Sequence, residues 1–279
     1  MAVIFAFLIF GAFVGMLAGL LGIGGGVILV PILSFIFPKL GLPIELVMQV
    51  SLGTSIGCTL FSMMSSTMGH FKHGKINLPV FYKLLPGLLI GGALGPIIAH
   101  NLDYNSLKNL FAALLFFISL KMLFEDMAKR RKRKKTLPNK NIFEERPKKV
   151  HFNNIFFLVL SGVTISTISA LLGIGGGILL LSLFSFMNIR MKEAVGTAAI
   201  CGVAINFVAL IGYIVSGLQV MPNYDLYIGY IYLPALLAIS LTSVIFAQIS
   251  AYQVQKIPGK MLKQILAGVL IFTAGRMFW

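Results

Sequence analysis

The sequence predicts an all-α polytopic membrane protein built from two homologous repeats. Three observations lead there. The 279-residue chain is 58% hydrophobic and only 11% charged, with a mean hydropathy of +0.94, whereas a soluble domain carries roughly 25% charge. Several stretches exceed the ~20 apolar residues that cross a bilayer. One signature also occurs twice, as LLGIGGGVILVP at Leu20–Pro31 and LLGIGGGILLL at Leu171–Leu181. Gly22, Gly24, Gly25 and Gly26 align with Gly173, Gly175, Gly176 and Gly177 at an offset of 151 residues.

The first apolar block runs from Ala2 to Phe37 and opens as a spanning segment: it has neither the basic start nor the small-residue cleavage site of a removed leader. Pro38, Gly41 and Pro43 mark a loop. The second block is Leu46–Met68, followed by the basic loop His70–Lys75. The third is Leu78–Ala99, in which Pro86, Gly91, Gly92 and Gly95 thin the helix surface for close packing. Asn101–Asn105 turns the chain into the fourth, Leu107–Phe124. The second half repeats the order with Phe152–Met187, Ala194–Val215, Leu226–Ala251 and Leu262–Trp279. Gly53-Thr54 returns as Gly196-Thr197, Leu85-Pro86 as Leu233-Pro234, and LKNLFAALLF from Leu107 as LKQILAGVLI from Leu262. A duplication follows, with repeats at 1–128 and 151–279 and a linker at 129–150.

Charge orients the chain. Eleven of the 23 basic residues fall between Lys129 and Lys149. Such a block belongs on the cytoplasmic side, against anionic lipid head groups. It accounts for much of the +15 net charge without nucleic acid as a partner. Four crossings per repeat would leave Arg190, Lys192, Lys256, Lys260 and Lys263 outside. Five return them to the cytoplasm and invert the second repeat. The positive-inside rule therefore favours ten segments over eight, arranged five plus five, in a prokaryotic-type inner membrane with both ends outside. Each 36-residue first block is either one long bent span or two short segments meeting at the glycines.

The glycines are the first candidate site. Neither run has the Lys-Ser/Thr pair of a nucleotide loop. Inside hydrocarbon-like sequence, three successive glycines read as a helix broken within the membrane. A break there survives only where protein or a wet cavity covers it. The restarting helix directs free N–H groups at the break, and two facing breaks would form an anion site. Close packing through small residues is the alternative reading of Gly24, Gly25, Gly26, Gly175, Gly176 and Gly177. Ser51, Ser55, Cys58, Ser62 and Ser65 lie on one helical face, with Thr54 beside it. Hydroxyls donate to an oxyanion without burying a charge, or bond back to their own helix. Thr54 and Thr197 recur after a glycine and are substrate candidates. Cys58 and Cys201 are repeat mates that serve as substrate contacts or as small hydrophobes. Asn206, opposite Met63 in the repeat register, needs partners within a span and is a further candidate. No metal-ligand spacing, catalytic set or cofactor motif is visible, and no acidic residue lies deep in a block.

Together, LGIGGGVILVP, LGIGGGILLL, SLGTS at Ser51 and AVGTA at Ala194 resemble the sulfite exporter TauE/SafE family, also called TSUP, over essentially the whole chain outside the linker. Family members commonly carry a proline after the glycines. Pro31 meets that pattern, whereas the second half has Ser182. The resemblance implies a permease, not an enzyme, moving sulfite, thiosulfate, a sulfonate such as sulfoacetate, or a related anion. It implies that the glycine runs shape the central site with Thr54 and Thr197 near it. The residues themselves leave an anion channel, or a carrier of a non-sulfur organic anion, as alternatives.

Overall fold

The computed structural model describes residues 2–21, 24–71, 76–135, 155–221, 225–253 and 275. The expected tenth segment, Gly22, most of the loop His70–Lys75 and the linker beyond Lys135 lie outside the described residues. Nine α-helices are described: α1 Ala2–Leu21, α2 Gly26–Ile36, α3 Ile44–Phe71, α4 Leu78–Asn101, α5 Tyr104–Lys135, α6 Ile155–Leu171, α7 Gly177–Phe186, α8 Met191–Leu218 and α9 Leu233–Gln253. A 3₁₀ turn, Phe37–Leu40, follows α2. A two-residue antiparallel hairpin, β1 Tyr227–Ile228 and β2 Ile231–Tyr232, precedes α9.

Helices α3, α4, α8 and α9 are long and apolar enough to cross a membrane. Each expected long first block is divided in two, as α1 with α2 and α6 with α7. The third block of the second half is shorter than its apolar sequence. Leu226–Tyr232 forms the hairpin, where Gly229 takes φ 56°, and the helix starts at Leu233. Pro234 suits that start because its missing N–H falls where a helix has no internal acceptor.

Helix α3 is the most deeply enclosed, buried from Val47 to Leu60 without interruption. It also carries the hydroxyl stripe. In lipid, polar side chains go inward because only protein can satisfy them. The outer surface is correspondingly apolar, with Phe5, Ile9, Phe117, Phe156, Leu237 and Leu241 exposed. The repeats interlock. Helix α1 packs along α9 and α6 along α4; α3 packs on α9 and α8 on α4; α3 and α8 meet at the centre. Exchanging the two halves of the chain maps α1–α9 onto α6–α4, α3–α9 onto α8–α4, and α3–α8 onto itself.

Glycines allow the closest of these approaches. A Cβ on Gly15 would meet the backbone of Ser243, and one on Gly91 would meet Ser166 and the Val163 carbonyl. Backbone contact of this kind is how helices associate where lipid offers no hydrophobic drive between them.

Candidate functional site

Both glycine runs break the helix in the same way. Gly24 and Gly25 take φ 77° and 73°, and Gly175 and Gly176 take φ 78° and 81°. A Cβ would clash in this left-handed region, so the residues are glycine. The next glycine, Gly26 or Gly177, opens α2 or α7, and neither helix has a side-chain cap. The helix entering the second break is closed off: Tyr213 donates its hydroxyl to the Ala170 carbonyl at 3.1 Å. Ile174 N–H meets the Ser169 carbonyl at 3.1 Å. Carbonyls left over at the end of α6 are thereby satisfied.

The two breaks meet. A Cβ on Gly26 would run into the carbonyl oxygen of Gly173 and stand 3.0 Å from Thr59 Cγ2. Ser55 lies across the junction, its hydroxyl 3.0 Å from the Gly173 carbonyl and 3.4 Å from that of Gly26. Its donor side thus ties one repeat to the other. Thr59, one residue beyond the cysteine of the stripe, faces Gly26 and Gly175, while its hydroxyl bonds back to Ile56.

Around this junction the repeats diverge in chemistry. At the first break, Gly24 faces Met63 and Gly25 faces Val14. At the second, a Cβ on Gly175 would lie 3.1 Å from Asn206 Nδ2, and one on Gly176 would lie 3.4 Å from Ser169 Oγ. Asn206 is fully buried. Its Nδ2 lies 3.6 Å from Met63 Sδ, and among the described residues neither its Oδ1 nor the hydroxyl of Ser169 has a hydrogen-bond partner. Buried polar atoms are normally hydrogen-bonded, and these two lie beside the second break.

The remaining candidates make other contacts. Thr54 Oγ1 accepts from Tyr232 N–H at 3.0 Å, and Thr197 Oγ1 accepts from Asn77 N–H at 2.9 Å. Tyr232 and Asn77 immediately precede α9 and α4. Each GT threonine therefore latches the start of a helix from the other repeat. By this criterion Leu78-Pro79, rather than Leu85-Pro86, is the counterpart of Leu233-Pro234. Ser62 and Ser65 face α9, bonding Ser243 Oγ at 3.0 Å and the Val244 carbonyl at 2.7 Å. Cys58 is fully buried on α3. Cys201 is buried, and both thiols are free. Ser51 is buried, and its hydroxyl has no hydrogen-bond partner among the described residues. The described residues hold no cluster of His, Cys, Asp or Glu suited to a metal ion.

Sequence reasoning missed Met63, Thr59 and Ser169. The repeat register already set Met63 opposite Asn206, which was the available signal. Ser169 has no hydroxyl mate, since Ala18 occupies the matching position of the first repeat.

Apolar spanning helices wrapped around two interlocking helix breaks define an integral membrane protein of the polytopic helical class. Comparison with known proteins assigns its family. The profile of the sulfite exporter TauE/SafE family matches residues 7–277, and the chain belongs to that family. It is 32% identical over 273 residues to a probable membrane transporter protein of Haemophilus influenzae, covering 97% of this chain and 96% of that protein. It is 26% identical over 264 residues to a probable membrane transporter protein of Methanocaldococcus jannaschii, covering 94% and 91% respectively. No solved structure matches it significantly. Family membership places the chain among membrane transporters rather than enzymes.

Proposed function

We propose that the chain is a permease for a small sulfur-containing oxyanion, working by alternating access around the junction of the two breaks. The observation that carries this reading is the meeting of Gly26, where α2 starts, with Gly173 in the break that precedes α7; neither helix start has a side-chain cap. N–H groups at a helix start favour negative charge, and side-chain amides and hydroxyls add donors without a buried cation. Gly24–Gly26, Gly175–Gly177, Asn206 and Ser169 form the site in this reading, with Ser55 holding it together. The family's description as sulfite exporters supports sulfite as the first substrate to test.

The same geometry supports inverted repeats. Helix α2 has 11 residues and α7 has 10, or about 15–17 Å at 1.5 Å per residue. Neither crosses an apolar layer of ~30 Å. Each pair, α1 with α2 and α6 with α7, is then a re-entrant hairpin, and the two hairpins enter from opposite faces and meet at their tips. The loops after α2 and α7 thus lie on opposite sides, with the basic linker in the cytoplasm and its charges at anionic lipid. Alternating access follows from rocking one repeat against the other while the tips exchange exposure.

Uptake into proteoliposomes tests the reading, using labelled sulfite, thiosulfate, sulfoacetate and a carboxylate, with and without a proton gradient. Saturable sulfite flux with counterflow, lost in Gly25→Leu and Gly176→Leu proteins that still insert, is expected. Normal flux in those variants would refute the central site, and single-channel currents would refute alternating access.

A further inference from the structure

The middle of the junction is filled by one side chain. Met63 is fully buried and lies against three glycines. A Cβ on Gly24 would stand 2.8 Å from its Cε and 3.4 Å from its Sδ; one on Gly175 would stand 3.5 Å from Cε; one on Gly202 would overlap its sulfur. Gly24 and Gly175 belong to the two breaks, and Gly202 lies on α8 one turn before Asn206. The glycines form a notch whose occupant is a thioether reaching over from α3.

The chemistry of that occupant is poorly matched to its neighbour. Asn206 offers two N–H donors and a carbonyl. Among the described residues, its Nδ2 meets only the Met63 sulfur, at 3.6 Å, and its Oδ1 meets nothing. A thioether is a weak acceptor. An oxyanion in the same notch would take charge-assisted hydrogen bonds from the amide, which are shorter and stronger. Methionine is also the side chain best able to leave, being unbranched with three rotatable bonds.

Building on the permease reading above, we propose that Met63 is a displaceable plug: its thioether holds the anion's place in this conformation and swings away when the anion engages Asn206. The space released is that of Cγ, Sδ and Cε. It suits a compact inorganic oxyanion such as sulfite and is too small for an organic sulfonate such as sulfoacetate. The pocket is accordingly one-sided. The Asn206 half binds, and the Met63 half gates and sets the size limit.

Two measurements on the full-length chain in lipid test this. With 13C-methyl methionine in nanodiscs, the Met63 signal is identified by its absence in Met63→Leu and followed during titration with sulfite. It is expected to shift saturably, with a half-effect near the uptake KM, and to stay fixed in Asn206→Leu. In proteoliposomes, Met63→Ala is expected to raise sulfoacetate uptake relative to sulfite at least about tenfold, as pocket enlargement by a methylene or more does elsewhere. A Met63 methyl signal that is silent at sulfite concentrations saturating uptake would overturn the plug, as would an unchanged ratio in a folded Met63→Ala protein. Wild-type uptake of sulfoacetate as fast as sulfite would overturn the size limit. Wild-type flux of sulfite with a silent Met63 refutes only the plug, whereas absence of flux for every anion tested refutes the permease reading and the plug with it.

Discussion

Replacing Gly26 by alanine sets two physical effects against each other. Gly26 is the first residue of α2 and does not have a positive φ. Considered locally, alanine should help there, because glycine costs up to about 1 kcal/mol relative to alanine within a helix and somewhat less at its edge. The tertiary structure reverses the sign. The new Cβ would strike the Gly173 carbonyl oxygen and lie 3.1 Å from the Gly173 carbonyl carbon. Both are backbone atoms, and Gly173 is itself held by its left-handed φ of 65°. No side chain can rotate away from the Gly173 carbonyl, so the two breaks must separate. Overpacking of this kind costs about 1–3 kcal/mol. The expected result is a lower thermal midpoint in detergent and loss of sulfite flux, with normal insertion. Gly41→Ala is the control. Gly41 has φ 85° but nothing within 4 Å of its Cβ position, so it should lose about 1–2 kcal/mol from backbone strain alone and keep its flux. A Gly26→Ala protein as stable as wild type, with normal flux, would refute contact between the two breaks.

Other consequences follow from the same structure. Thr54→Val and Thr197→Val keep side-chain shape but strip the acceptor from Tyr232 or Asn77 N–H. Each is expected to destabilise by about 1–3 kcal/mol in thermal or denaturant unfolding, and a raised KM with unchanged stability would instead return these hydroxyls to the substrate. Cysteines placed at Lys39 and Arg190, in a background lacking Cys58 and Cys201, should label from opposite sides of the membrane; labelling from one side would exclude inverted repeats. Asp103, at the start of α5, takes hydrogen bonds from Ser106 and Asn105 that hold its carboxyl below the ordinary carboxylate range. Its folded value is depressed, so its support of the helix start is present above pH ~4 and fades as pH falls through the folded value. Amide protection at the first turn of α5, measured against the intrinsic exchange rate at each pH, should fall with acid in the wild type and much less in Asp103→Asn.

The stretches of apolar sequence determined the membrane class, and the repeat offset determined that two halves share one plan. The breaks were also legible, since a run of three glycines in an apolar block has few other uses and left-handed backbone follows from the missing Cβ. Those are local properties, carried by residues within a turn or two of each other. Which partner each hydroxyl meets was decided only by folding. Thr54 and Thr197 stand out in the sequence by recurring after a glycine, but the N–H groups they meet, on Tyr232 and Asn77, come from the other half of the chain. Ser55 looks like one of a stripe until it is found bridging Gly26 and Gly173. The meeting of the two breaks, and Met63 lodged between them against Asn206, join residues more than a hundred positions apart. No spacing rule within either repeat encodes such a contact, because it depends on how the halves interlock through glycine notches on α1, α4 and α8.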